Sequence, residues 1–158
     1  HSLTEALAEA QITGLAEADP SLDVNGVDCV HKLALLATLA FRRFVTPEQI
    51  SCEGLDRATP DRVARARANG AELKLVARAR LDQGQVRACV GLEEVAADNP
   101  LAGCRLVTNR LVVHTRSGRQ VTVEGKGAGR WPTTLSVLSD VLELVRTCQW
   151  PQVRRKSA

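Results

Sequence analysis

The chain has 158 residues, 44% of them hydrophobic and 25% charged, which suits one domain with a real core. Its net charge of +3 is spread along the chain, aromatic residues are only 3%, and the longest apolar run, around residues 33–41, is short; nucleic-acid stacking and a membrane span are therefore not expected. Five cysteines, Cys29, Cys52, Cys89, Cys104 and Cys148, are odd in number and form no Cys-x-x-Cys pair, so the expectation is a reducing, cytoplasmic compartment without a disulfide framework or a cysteine zinc site.

Ser2 followed by Glu5 is a capping-box pattern, and Leu3, Leu7 and Ala10 recur at helical spacing until Gly14. The stretch Glu17-Ala18-Asp19-Pro20-Ser21-Leu22-Asp23, acidic and broken by proline, reads as an ordered loop. Either Asp23 or Asn25 can cap a second helix reaching about Arg43. Its Val27, Val30, Leu33, Leu36 and Leu39, joined by Leu35 and Phe41, make a wide apolar surface, which predicts a central helix. Residues 50–55 form a short strand candidate. Thr59-Pro60-Asp61 then sets N-cap, proline and first-turn acid in the right order for a helix that Gly70 ends. From Ala71 the period becomes two: Leu73, Leu75, Ala77 and Ala79 alternate with Lys74, Arg78 and Arg80, and Gln83-Gly84 turns the chain into a strand over 86–90. A further strand pair is predicted over 105–115 and 120–124, turned at Ser117-Gly118. Gly125-Lys126-Gly127-Ala128-Gly129 leads into an amphipathic helix over 132–148. One domain over 1–150 is expected, with a basic polar tail, Arg154-Arg155-Lys156 included, over 151–158. Helices first and meander-like strands later favour an α+β fold over a doubly wound parallel sheet.

Acids gather around the start of the central helix: Glu17, Asp19, Asp23 and Asp28. Lys32 lies four residues after Asp28, on the same helical face, and is one of four lysines against seventeen arginines. Two readings stay open. Lys32 can be a proton donor, which arginine cannot, with carboxylates beside it to bind an ammonium group. Or the pair is a solvated ion pair contributing a few tenths of a kcal/mol, roughly. The glycine turn likewise reads either as backbone N–H groups offered to a phosphate or as a flexible strand-to-helix connection. It is neither a Gly-x-Gly-x-x-Gly fingerprint nor a P-loop. His31 and His114 have no metal-ligand partner at useful spacing, so no metal is expected.

The residues from Glu17 to Lys32, read without a gap through Asp23-Val24-Asn25-Gly26-Val27-Asp28, resemble the signature of homoserine dehydrogenase. Glu53-Gly54-Leu55, Lys74-Leu75, Asn99-Pro100-Leu101-Ala102, Asn109, the glycine turn with Arg130, Pro132-Thr133 and Asp140 follow in the family's order. The resemblance implies interconversion of L-aspartate 4-semialdehyde and L-homoserine with NADP or NAD, on the route to threonine, methionine and isoleucine. By it, Lys32 exchanges a proton with the reacting oxygen, Glu17 and Asp28 hold the substrate's amino end, and Gly125, Gly127 and Ala128 approach the cofactor. It also implies an open mixed β-sheet with helices on one side, similar to the C-terminal domain of glyceraldehyde-3-phosphate dehydrogenase, and a homodimer.

Three positions depart from the family: Leu106 and Arg110 stand where it usually has Gly and Ala, and Gly91 replaces a usual proline. The family's NAD(P)-binding domain and its second substrate lysine have no counterpart in these residues. The chain, without methionine and opening His1-Ser2, is therefore expected to be the substrate half of a longer protein, with a tag remnant at its start and no turnover by itself. The alternative is a dimerisation or amino-acid-binding module that has lost catalysis.

Overall fold

In the computed structural model, which describes residues 2–147 apart from the Arg130 side chain, the expected capping box opens the first helix, α1 (Leu3–Ile12). Ser2 Oγ accepts from the Glu5 amide at 3.2 Å, and Glu5 Oε2 accepts from the Ser2 amide at 2.8 Å. The acidic loop contains one short helix, α2 (Ser21–Val24), before which Asp19 accepts the Ser21 amide at 3.1 Å.

The central helix, α3 (Val27–Phe41), is not capped by Asp23 or Asn25. Gly26 holds the N-cap position with φ +76°, and no side chain bonds the first amides. The reason is steric: a Cβ at position 26 would stand 2.9 Å from Cys52 Sγ, so a left-handed glycine makes the corner. At the other end Arg42, with φ +51°, stops the helix just short of the expected Arg43.

The strand expected over residues 50–55 shrinks to β1 (Ser51–Cys52). After it comes α4 (Pro60–Ala68), where Thr59 Oγ1 accepts the Arg62 amide at 3.3 Å. Strands β2 (Ala71–Asp82) and β3 (Gln85–Ala96) form a long hairpin around Gln83 and Gly84, both at positive φ. β3 runs past the expected end at Val90 because its pairing with β2 continues without a break, from Asp82 opposite Gln85 to Ala71 opposite Ala96. β1 pairs with β3 in parallel, so the sheet is mixed, in the order β1-β3-β2.

Helices α3 and α4 lie on one face of this sheet, as the resemblance implied. Val86, Ala88 and Val90 of β3, with Leu75 and Ala79 of β2, pack beneath α3. Glu94, which alternation places on the same face, receives Arg65 and Asn69 of α4. α3 buries Val30, Leu33, Ala34 and Ala37, while Leu35, Leu36 and Leu39 stay exposed. The wide apolar surface is thus half covered, because a narrow sheet meets only one stripe of a helix. The small residues Ala34 and Ala37, not counted as core from sequence, let that stripe approach closely.

On the opposite face the segment after β3 crosses Val76 and Val95, which are buried. It is tied down by Lys74 Nζ donating to the Cys104 carbonyl at 2.8 Å and by Arg105 meeting Glu72 at 2.7 Å. That crossing carries the chain away from the first sheet. β4 (Thr108–His114) and β5 (Gln120–Lys126) therefore pair with each other as a separate two-stranded sheet. The last described helix is α5 (Arg130–Thr147). Its expected end at Cys148, the boundary at residue 150, the basic tail and His1 lie outside the described residues.

Candidate functional site

α3 places Asp28 in its first turn and Lys32 one turn later, and the two meet: Lys32 Nζ lies 2.5 Å from Asp28 Oδ2. The Lys32 side chain keeps 56% of its area exposed and Asp28 40%, so the pair stands at the surface of this chain rather than in an apolar pocket. Both residues lie off the buried stripe of α3 (Val30, Leu33, Ala34 and Ala37), which fixes the helix while leaving their charged ends open. The arrangement offers one ammonium and one carboxylate side by side, with a free side toward solvent.

Glu17 lies in the turn after α1. Its backbone carbonyl, with that of Ala18, accepts from Gln11 Nε2 at 3.0 and 3.3 Å, which anchors the turn to α1. Its carboxylate is exposed and, among the described residues, makes no ion pair with Lys32. The structure thus joins Asp28 to Lys32 and leaves Glu17 separate.

The start of α3 is set by contacts that sequence reasoning did not find. A Cβ on Gly54 would stand 2.6 Å from the Val24 carbonyl oxygen and 2.8 Å from Asn25 Cα, so the backbones of the two segments touch. Cys52 Sγ donates to the Asn25 carbonyl at 3.3 Å. Glu53 is held by Arg62, Nη1 to Oε1 at 2.6 Å, and Arg62 also donates to the Arg57 carbonyl. That hydrogen bond holds the Glu53 carboxyl below its ordinary range. Beside these residues is a cavity of about 510 Å³, lined by Asn25, Cys52, Glu53, Gly54, Asp56 and Arg57. Only the bare Glu53-Gly54-Leu55 string hinted at this, since Val24 and Asn25, which it touches, lie some thirty residues earlier in the chain.

The glycine turn sits at the end of β5. The Gly127 amide donates to the Val107 carbonyl at 2.7 Å, and Asn109 fills the space that a Cβ at 127 would need, its Nδ2 at 1.9 Å. Gly127 is a glycine to admit Asn109. Gly125 is different: nothing lies within 4 Å of where its Cβ would stand, so its backbone is open to close approach. Ala128 is half-buried. A second hollow, between the end of α1 and α5, is lined by Gly14, Gly129, Thr133, Thr134, Val137, Leu138 and Val141. Neither cavity is lined by Glu17, Asp28 or Lys32.

Comparison with known proteins gives one answer at every level. The family model for homoserine dehydrogenase matches residues 1–142. The homoserine dehydrogenase of Synechocystis sp. is 39% identical over 145 residues, covering 89% of this chain and 34% of the relative. A protein named NAD(+)-dependent homoserine dehydrogenase, from Pseudomonas canavaninivorans, is 36% identical over 141 residues, 89% of this chain and 40% of the relative. The crystal structure of S. aureus homoserine dehydrogenase at pH 7.0 superposes with a TM-score of 0.83 at 29% identity, covering 98% of this chain and 39% of that one. The chain spans between a third and two fifths of the length of these relatives.

Proposed function

Since the chain belongs to the homoserine dehydrogenase family, we propose that it is the substrate-binding half of an NAD(P)-dependent enzyme interconverting L-aspartate 4-semialdehyde and L-homoserine, in the cytoplasm and on the route to threonine, methionine and isoleucine. The observation that carries this reading is the Asp28–Lys32 pair, standing open at the start of the best-packed helix. Reduction of an aldehyde develops negative charge on its oxygen. Lys32 Nζ is the group that stabilises this charge and donates the proton, and in the reverse direction it takes the proton from the hydroxyl. Asp28 keeps the ammonium oriented and, together with Glu17, binds the α-ammonium of the amino acid. Two carboxylates then face two ammonium groups, Lys32 and the substrate's, so neither ammonium is left without a counter-charge.

When bound, the dinucleotide supplies or accepts hydride at the substrate's terminal carbon. The turn fits one edge of it: the open backbone at Gly125, with Ala128, would hold that edge, while Gly127 stays committed to Asn109 and Val107. The remaining contacts belong to residues outside this chain. A second copy of the protein is the proposed partner, through the apolar faces of α5 and the β4–β5 hairpin, which the chain itself leaves exposed.

The test is Lys32→Ala in the full-length protein that carries this chain. kcat for homoserine oxidation should fall by at least about a hundredfold, with L-homoserine binding by calorimetry retained within a few-fold. A loss in kcat below about tenfold would remove Lys32 from proton transfer.

A further inference from the structure

We propose that Cys29 and Cys52 are a modification site, forming a disulfide under peroxide at the base of the helix that carries Asp28 and Lys32; only its effect on ligand binding rests on the function proposed above. Register places Cys52 opposite Val90, one of the residues buried beneath α3, so its side chain shares the face that meets the helix. Its Sγ lies 2.9 Å from where a Gly26 Cβ would stand. Cys29 follows three residues later, in the first turn of α3, close enough to Cys52 to feel its charge. It packs against the same core cluster. Both are free thiols, Cys52 exposed and Cys29 half-buried.

A disulfide needs its Cβ atoms about 3.5–4.5 Å apart, so closure draws the first turn of α3 toward β1. No side-chain cap restrains that turn. Burial pushes the Cys29 thiol up, helped by the Asp28 carboxylate and by Cys52 and Asp23 and opposed by Lys32. Burial and then Asp56 push up Cys52. Oxidation is accordingly slow near neutrality and quickens as pH rises and the thiolate fraction grows.

The step balances as follows. The Cys52 thiolate attacks one oxygen of hydrogen peroxide; the O–O bond breaks, leaving a sulfenic acid on Cys52 and a hydroxide that takes up a proton. Cys29 Sγ then attacks the Cys52 sulfur. The S–S bond forms as the S–O bond breaks, and the departing hydroxide leaves as water with the Cys29 proton. The two thiols lose two electrons in all, and one peroxide is reduced to two waters. Because Cys29 directly follows Asp28, drawing it toward β1 turns Asp28 against Lys32 and weakens the site.

Peroxide treatment of the reduced protein, alkylation of the remaining thiols and peptide mapping by mass spectrometry test this. One linked pair containing Cys29 and Cys52 is expected, two hydrogens lighter than the free peptides and absent from Cys29→Ser and Cys52→Ser. With it, the calorimetric Kd for L-homoserine should rise about tenfold and return with dithiothreitol. Linkage through Cys89, Cys104 or Cys148, or sulfenic acid without linkage, overturns the proposal whatever the titration shows. A mapped disulfide with unchanged affinity overturns its effect on the site. If the reduced protein binds no L-homoserine at all, the functional reading fails, and the mapped linkage still decides this one.

Discussion

Leu106 is 92% exposed and holds a φ of +52°, in the left-handed region where an L side chain crowds its own backbone. Glycine, which the resemblance leads one to expect there, takes this conformation without strain. Replacing Leu106 with glycine relieves about 1–2 kcal/mol of backbone strain against an unfolded-state entropy cost of about 0.5–1 kcal/mol. Leu106→Gly should therefore raise the urea midpoint, by up to about 1.5 kcal/mol in stability; a lower midpoint would contradict it. Arg110, a second of the three departures, acts as a latch. Its guanidinium holds Glu124 and donates to the Pro100 and Ala102 carbonyls at 2.7 and 2.6 Å. At this scale the Asp28–Lys32 pair was legible, since a spacing of four on a helix is local geometry. The Gly127–Asn109 and Gly54–Asn25 approaches were not, because no local rule says which distant backbone a glycine must admit.

Helix α4 and the β1–β3 edge are joined by Arg62, which bonds Glu53 and reaches the Leu92 carbonyl at 3.5 Å. Arg62 holds the Glu53 carboxyl below its ordinary value. A group whose folded value is depressed contributes fully above the ordinary glutamate range, and that contribution is lost as pH falls through the lowered value. Glu72, Glu48, Glu5 and Asp19 are lowered too, so the pair must be isolated by difference. Glu53→Gln should flatten the acid limb of unfolding free energy between about pH 6 and pH 3 relative to the unmodified protein. Parallel acid limbs would mean that the pair does not couple α4 to the sheet. The elements themselves were well forecast where punctuation is local: Ser2 and Thr59 as caps, Gln83-Gly84 as a turn, period two from Ala71. The α3 cap was misassigned because Cys52, from another element, decides that corner.

Across the whole molecule the apolar surface is unevenly covered. Leu138, Val141, Leu142 and Val145 repeat at helical spacing along α5 and remain about half exposed, as do Val113, Val121 and Val123 on the β4–β5 hairpin. Monomeric proteins rarely leave contiguous apolar patches beyond a few hundred Å². In sedimentation at tens of micromolar, roughly, this chain should behave as two or more copies, and Leu138→Glu combined with Val141→Glu should return it to one. A single-copy mass at every concentration would refute that.

The sequence by itself determined the family, from motifs strung between Glu17 and Asp140, and also the order and type of nearly every element and the pairing of Asp28 with Lys32, which follow from neighbours within one or two turns of chain. Tertiary structure alone decided that the strands divide into two sheets, which stripe of α3 is buried, and that Lys32 stands in the open. It also brought Cys52 and Gly54 against the start of α3. These depend on which surfaces meet across long sequence separations, and hydrophobic pattern names a face without naming what covers it.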